Sequence, residues 1–258
     1  MVAGTVNIPL QKNYSLLYSI CCIVTNEVEY VAMQDSFMAH GFRERCEYLV
    51  ADNTAGNSFN AYEAIRRFFQ EAKGEYLVIV HQDVRCMDQL AVLTEKLHQL
   101  QQKDASWAVC GNAGGNGYKN FFFHLDDNGR TRKSNGLPAR VTSLDENMLI
   151  IKSSAGLSIS ADIGDFHFYG TDICQVADFL GYRSYVIAFM VKHLSSGNLE
   201  KMYAQQPAFI EQYGHKLRHR FIQTSCTKFY LSHSKNKNRF YNNGFIFFWV
   251  KAFNRMFK

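Results

Sequence analysis

Three short polar clusters stand directly after apolar runs. Thr25-Asn26-Glu27 follows residues 16–24, Asp52-Asn53 follows residues 48–51, and His81-Gln82-Asp83 follows residues 76–80. Carboxylates, amides, a hydroxyl and an imidazole can bind polar ligands, and an α/β protein gathers such groups at the carboxyl ends of its buried strands. His193 lies just beyond a further apolar run over 185–191. Other chemistries are poorly supplied. The cysteines at 21, 22, 46, 86, 110, 174 and 226 form no CxxC pair, so neither a zinc ribbon nor a dithiol redox site is indicated. Most lie among apolar residues and read as buried free thiols in a reducing compartment. The glycine-rich segment 111–117 lacks the GxxxxGK[ST] pattern of a phosphate loop and reads as a flexible connection.

The elements that must position these groups alternate along the chain. The continuous apolar run 16–24 predicts a strand buried on both faces. Residues 27–40 place Val28, Val31, Ala32, Phe37 and Met38 at helical spacing, with Gly41 as the stop. A strand over 48–51, a helix over 60–73 and a strand over 76–80 follow. Asp88 is placed to cap a helix carrying Leu90, Leu93, Leu97 and Leu100, ahead of a strand over 107–110. This spacing predicts a mostly parallel, doubly wound α/β sheet, whose three polar clusters then converge on one edge. Beyond 110 the regularity breaks. Residues 126–140 read as a long hairpin or surface loop, 141–152 as a strand with a carboxylate turn, and 172–180 as a helix ended by Gly181.

With 258 residues, 47% hydrophobic and 20% charged, the chain has the composition of a globular protein with one large core or two modest ones. Its 3 prolines argue against a disordered chain. No apolar run approaches the ~20 residues of a spanning helix. The stretch 15–24 meets Thr25-Asn26-Glu27 with no small-residue cleavage site, so we expect an unexported, cytoplasmic protein. Charge is unevenly spread. From Gln212 onward the chain holds Lys216, Arg218, Arg220, Lys228, Lys235, Lys237, Arg239, Lys251, Arg255 and Lys258 without one Asp or Glu, while the whole carries +5. The body is therefore mildly acidic and the tail basic, which suits an anionic surface. Residues 245–250 with Trp249 read either as an interfacial helix on the inner face of a membrane or as a helix packing its aromatic face on the domain. Nothing resembles a nucleic-acid module, and we expect no nucleic-acid partner.

Six segments, in order, resemble the GT-A fold glycosyltransferases of family 2, in the bacterial branch with a His-Gln-Asp-Val metal turn. They are CCIVTNE (21–27), VADN (50–53), AIRRFFQEAKGEYLVIVHQDV (64–84), SLDENMLIIK (143–152), FHFYGTDICQVADFLGYRSYVI (166–187) and KHLSSG (192–197), and they cover roughly residues 17–197. The resemblance implies a GT-A domain over 1–200, with a donor half at about 15–110 and an acceptor half at about 111–200. Residues 201–258 then form a basic, helical C-terminal extension. It also implies inverting transfer of a sugar from a nucleotide sugar, a UDP-sugar being favoured, to a glycan or lipid-linked acceptor in cell-surface polysaccharide or lipopolysaccharide synthesis.

Such a reaction expels a doubly charged leaving group, which a divalent cation (Mn²⁺ or Mg²⁺) neutralises. Asp83 takes the last acidic position of the family's Asp-x-Asp turn, His81 stands at the first, and His193 matches the position that supplies an imidazole. The resemblance thus implies metal ligation by Asp83, His193 and His81. It implies a carboxylate base at Asp172, in Tyr-Gly-Thr-Asp, with Asp165 in reserve; Asp172 can equally cap its helix. Gly170 stands where another acid is common. Thr25, Asn26, Glu27, Asp52 and Gln82 are expected on the nucleotide, and Asp145 either contacts the donor sugar or closes a turn. Nucleotidyl transfer would need a glycine-rich, basic triphosphate loop after the first strand, and Thr25-Asn26-Glu27 offers none. A non-catalytic glycan- or membrane-binding domain is the alternative, suggested by His81 and Gly170 in place of acids.

Overall fold

The structure is a computed structural model that describes residues 13–195, 199–214, 216, 219–232 and 234–256, with the backbone alone for Lys251 and residues 254–256. Ser196-Gly197, Arg218 and Lys258 lie outside the described residues. The first half alternates as β1 (Leu16–Val24), α1 (Glu27–Ala39), β2 (Cys46–Asp52), α2 (Ala61–Glu71), β3 (Gly74–Val80), β4 (Val84–Cys86), α3 (Leu90–Lys103) and β5 (Trp107–Gly111). Further strands follow: β6 (Ala113–Asn116), β7 (Asn120–Asp127), β8 (Arg130–Lys133), β9 (Ala139–Val141), β10 (Ser143–Leu144) and β11 (Met148–Lys152). Then come α4 (Tyr169–Phe179), β12 (Arg183–Val186), β13 (Val191–His193), α5 (Leu199–Tyr213), β14 (Arg220–Gln223), β15 (Lys228–Leu231), α6 (Lys235–Tyr241) and α7 (Gly244–Met256).

The main sheet has the order β2-β1-β3-β11-β5-β12-β9. In it β2, β1, β3, β5 and β12 share one direction, while β11 and β9 run against them. Alternate side chains of each central strand enter opposite cores, as the two-residue repeat of a strand requires. Tyr18, Ile20 and Cys22 of β1, Val78 and Val80 of β3, and Met148 and Ile150 of β11 meet Met33 and Phe37 of α1 and Leu93, Leu97 and Leu100 of α3. Cys21, Leu77, Ile79, Leu149 and Ile151 face the other way, onto Ile65 and Phe68 of α2 and Ile173 and Ala177 of α4. This is the predicted α/β architecture: a mostly parallel sheet with helices on both faces, followed by helical structure at the chain's end. Among the described residues, no helix is long and apolar enough to cross a membrane.

Several local expectations are corrected. Asp88 does not cap α3, whose N-cap residue is Gln89; its carboxylate instead accepts the Met190 N–H at 2.7 Å, tying α3 to the segment before β13. The glycine-rich stretch is no loose connection, because β6 pairs with both β7 and β10. Its glycines answer to crowding: a Cβ on Gly114 would lie 2.5 Å from the Ser143 carbonyl oxygen, and one on Gly115 would overlap the Gln223 carbonyl. Of the cysteines, all free, Cys226 is exposed and Cys46 half-buried, while the rest are buried as expected.

The core also runs past residue 200. Met202, Phe209 and Tyr213 of α5, Ile222 of β14, and Phe229 and Leu231 of β15 belong to the same cluster as α2 and α4. Ser143 Oγ donates to the Gln223 carbonyl, pinning the β14–β15 hairpin to the body.

Candidate active site

Register explains why three distant polar groups meet. β3 ends at Val80, and the chain turns through His81-Gln82-Asp83 into β4, closed by a Val84 N–H to His81 carbonyl bond of 3.2 Å. β13 lies antiparallel to β4 with His193 opposite Val84, and the Leu194 N–H bonds the Asp83 carbonyl at 3.1 Å. The His193 imidazole is thereby carried to the turn. His193 Nε2 lies 3.6 Å from Asp83 Oδ2, and His81 Nδ1 lies 3.9 Å from Asp83 Oδ1. One ligand atom from each of the three residues can be chosen so that all lie within 4.8 Å of one another.

The hydrogen bonds around this group fix its chemistry. His81 Nε2 is 2.7 Å from the Tyr169 hydroxyl, and that hydroxyl donates its one hydrogen to the Glu146 carbonyl at 3.1 Å. The hydroxyl must therefore accept from His81, which puts the imidazole proton on Nε2 and leaves the Nδ1 lone pair toward Asp83. Burial lowers the His81 pKa to about 4, so the ring is neutral at pH 7. Asp83 Oδ1 and His193 Nε2 are buried and have no hydrogen-bond partner. A neutral nitrogen lone pair facing a carboxylate, beside unsatisfied buried atoms, is a donor set that fits a divalent cation.

Of this group, His81 and His193 line a cavity of about 290 Å³ that also takes in Asp145, Glu146, His167 and the hairpin turn at Thr224, Ser225 and Cys226. Asp145 begins the tight turn from β10 to β11. Its carboxylate accepts the Ser225 N–H at 3.1 Å, and burial raises its pKa. It therefore both holds a turn and faces the cavity. Glu146 sits beside it with its side chain 17% exposed, 4.0 Å from His167 Nδ1. One oxygen accepts the Gly170 N–H at 3.3 Å, and burial pushes its pKa up to about 8. Gly170 is what admits it: a Cβ there would lie 2.5 Å from the Leu144 carbonyl oxygen and 3.2 Å from Glu146 Cγ.

The expectation that Asp172 faces the cleft, or caps its helix, is corrected. The N-cap residue of α4 is Phe168, and Asp172 lies in the first turn, fully buried and away from the cavity. Both its oxygens are held by Ser160, from the main-chain N–H at 2.8 Å and the hydroxyl at 2.6 Å. Asp165 is exposed outside the cavity, with one oxygen accepting the Phe166 N–H at 2.7 Å.

The groups expected on a nucleotide meet at the neighbouring strand ends. Val24 is in register with Asp52. Gln82 Oε1 accepts the Thr25 and Asn26 N–H groups at 2.9 and 3.0 Å, and its Nε2 donates to Thr25 Oγ1 at 2.8 Å, so Gln82 works as a clamp between β1 and the His81 turn. Asn26 caps α1 through the Val28 and Glu29 N–H groups. Asp52 is exposed and accepts from both the N–H and hydroxyl of Thr54, which lowers its pKa. Glu27 is exposed in the first turn of α1. Glu146, His167, Tyr169 and the 224–226 turn were not singled out in the sequence. Glu146 carried one available signal, a second acid beside Asp145 ahead of a buried strand. The hairpin carried none, since its contact with Asp145 spans 80 residues.

Fold and site together define an α/β protein whose strand ends hold a His-Asp-His group beside a carboxylate-bearing cavity. The chain belongs to the family of a Fuscovulum blasticum protein described as "ATP synthase subunits region ORF 6"; the two are 32% identical over 188 residues, which cover 69% of this chain and 76% of that protein. No protein-family model matches the sequence. Among solved structures, Staphylococcus aureus TarS aligns at a TM-score of 0.49 and 12% identity, over 70% of this chain and 37% of TarS. TarS 1–349 in complex with UDP-GlcNAc aligns at 0.47 and 13%, over 77% and 66%. A197 from STIV aligns at 0.43 and 11%, over 70% and 87%.

Proposed function

We propose that the protein transfers a sugar, with inversion, from a nucleotide sugar to a hydroxyl of a glycan or lipid-linked acceptor in cell-surface polysaccharide or lipopolysaccharide synthesis, with a UDP-sugar as the favoured donor. The observation that carries this reading is the His81–Asp83–His193 group opening beside Asp145 and Glu146. The six sequence segments that resemble family 2 GT-A enzymes support it, since each of them supplies residues of this edge or cavity. A divalent cation held by Asp83, His193 and His81 would neutralise the charge of the diphosphate leaving group. Thr25, Asn26, Glu27 and Asp52 are assigned to the nucleotide, with Gln82 ordering the first two, and Asp145 to the donor sugar.

The base is assigned to Glu146 rather than to Asp172 or Asp165, because it alone of the three lines the cavity. As the acceptor oxygen bonds to the anomeric carbon, its proton passes to the Glu146 carboxylate while the bond to the diphosphate breaks. The Gly170 N–H and the neighbouring His167 orient that carboxylate. The alternative of a non-catalytic glycan- or membrane-binding domain draws on His81 and Gly170 standing where acids are common.

The test is a thermal-shift panel of nucleoside diphosphates with and without Mn²⁺. A ligand at about 100 times its Kd should stabilise the native state by about 2.7 kcal/mol. Asp83→Asn keeps the shape and removes the charge, so metal-dependent stabilisation by UDP should vanish while the unliganded protein stays folded. A variant that binds UDP and Mn²⁺ like the parent sinks the site assignment. Binding without release of UDP from any UDP-sugar would favour the non-catalytic reading.

A further inference from the structure

Helix α7 is apolar on more sides than the domain covers. Phe247 turns inward, with its ring 5.6 Å from Tyr118 and 6.1 Å from Phe221, so the helix is docked on the β14 side of the molecule. Phe245, Phe248 and Trp249 recur at the three- and four-residue spacing of one helix face, and they are 68%, 62% and 55% exposed. Their rings contact one another, Trp249 lying 6.2 Å from Phe245 and 5.9 Å from Phe248. Phe240, at the end of the preceding α6, is exposed as well. Large aromatics clustered in the open are unusual on a monomeric soluble surface and mark a contact face.

The charge beside this face says what it meets. Lys235, Lys237 and Arg239 are exposed on α6, which packs against α7, and from Gln212 to Lys258 the sequence holds no acid. The acid paired with this patch, Glu211, lies 3.8 Å from Lys235, with both side chains largely in solvent. A second copy of the chain would bring the same cations against themselves in a two-fold contact. An acyl-and-headgroup boundary takes aromatic rings and cations together, the rings at the interface and the cations on anionic headgroups.

We infer that the aromatic face of α7 and the basic face of α6 seat the protein on an anionic lipid bilayer. The hold is peripheral: α7 lies along the surface, with Phe247 still packed on the domain. The inference stands on this surface alone, independently of sugar transfer, and adds a membrane location for whatever the cavity binds.

The two tryptophans make the test direct. Trp107 is fully buried and Trp249 exposed, so quenching by a soluble quencher and any blue shift on binding report α7. The full-length protein is mixed with vesicles of phosphatidylcholine alone or with phosphatidylglycerol, at low and high salt. With phosphatidylglycerol, Trp249 emission should shift to the blue, lose its quenching and co-sediment, and salt should reverse all three as the Debye length shrinks. Phe248→Ser with Trp249→Ser, read by sedimentation, and Lys235→Glu with Lys237→Glu and Arg239→Glu, read by both methods, should each weaken binding at least ~10-fold. These positions are exposed, so the variants should keep the parent's melting temperature. The inference is overturned if Trp249 ignores both vesicle types, if it is already shielded in a dimer without lipid, or if a nucleic-acid homopolymer shields it and vesicles do not.

Discussion

Glu146 and Asp172 are both carboxylates pushed upward by burial, to about 8 and about 6, yet their partners differ. Asp172 spends both oxygens on Ser160, whereas Glu146 faces an open cavity with Gly170 and His167 as neighbours. Among the described residues, Asp145 and His167 stand beside Glu146 and Cys226 lines the same cavity, and Asp145 reinforces the upward shift. A folded-state pKa above the unfolded value means the native state holds the extra proton. Stability therefore falls as pH rises, from about 4.5 to about 8 for Glu146 and from about 3.8 to about 6 for Asp172. UDP release from a UDP-sugar should climb through pH about 8 as Glu146 ionises. Glu146→Gln should lower it at least ~10²-fold and flatten the climb, leaving the UDP–Mn²⁺ thermal shift intact. If Glu146→Gln turns over normally while Asp172→Asn is dead, the base is Asp172. The His81, Asp83 and His193 positions were legible as polar residues after apolar runs. Glu146 showed only as a second acid beside Asp145, because its role depends on the space left by Gly170, 24 residues away.

At the scale of elements, alternation of apolar runs and helical stripes placed β1, β2, β3 and β5 and the helices between them to within a few residues. The three-residue β4 was not foreseen, and α1 buries Met33 and Phe37 while Val28 and Val31 of its expected stripe are exposed. The region from Gly111 to Lys152 was harder. Apart from β7 its strands are five residues or fewer, and glycine signals freedom in a sequence while serving close backbone approach in the fold. Gly115 and Gly117 separate these two uses. Gly115 leaves room for the Gln223 carbonyl, whereas Gly117 has open space but a φ of +63°. Gly115→Ala must push the β14–β15 hairpin off β6, a cost of about 1–3 kcal/mol expected of overpacking. Gly117→Ala pays only for a left-handed backbone, about 1–2 kcal/mol. In urea titrations both should be destabilised, but only Gly115→Ala should also weaken cavity binding, since it displaces the turn that holds Asp145. Unchanged stability in Gly115→Ala would show that the hairpin is not seated as described.

On the scale of the whole molecule, a boundary at residue 200 was read from where the sequence resemblance stops, and we still offer it as the limit of the donor and acceptor halves. The core does not stop there. Phe209, Tyr213, Ile222, Phe229 and Leu231 are buried in the cluster that also takes in β3, α2 and α4. Each is worth roughly 1.5–3 kcal/mol of burial, and together they rival the ~5–15 kcal/mol by which a native protein is stable. A fragment of residues 1–200 should therefore lack a cooperative urea transition by circular dichroism, while the full chain shows one. A fragment that unfolds cooperatively would make the later elements an appendage. This arrangement was hidden because hydrophobic spacing reports which residues are buried, and not which distant segment covers them.

The hairpin that walls the cavity also sets an order of events during synthesis. A chain emerging from the ribosome folds from its N-terminal end. By the time His193 is made, every member of the His-Asp-His group exists, but the Thr224–Cys226 wall and its anchor on Asp145 do not. At ~5–20 residues per second the interval is a few seconds. During it the nascent protein has the cation-receptive turn without an enclosed cavity, and the apolar surface later covered by Ile222, Phe229 and Leu231 is open to chaperones. The hairpin, translated after His193, thus turns an exposed cluster of polar groups into a pocket.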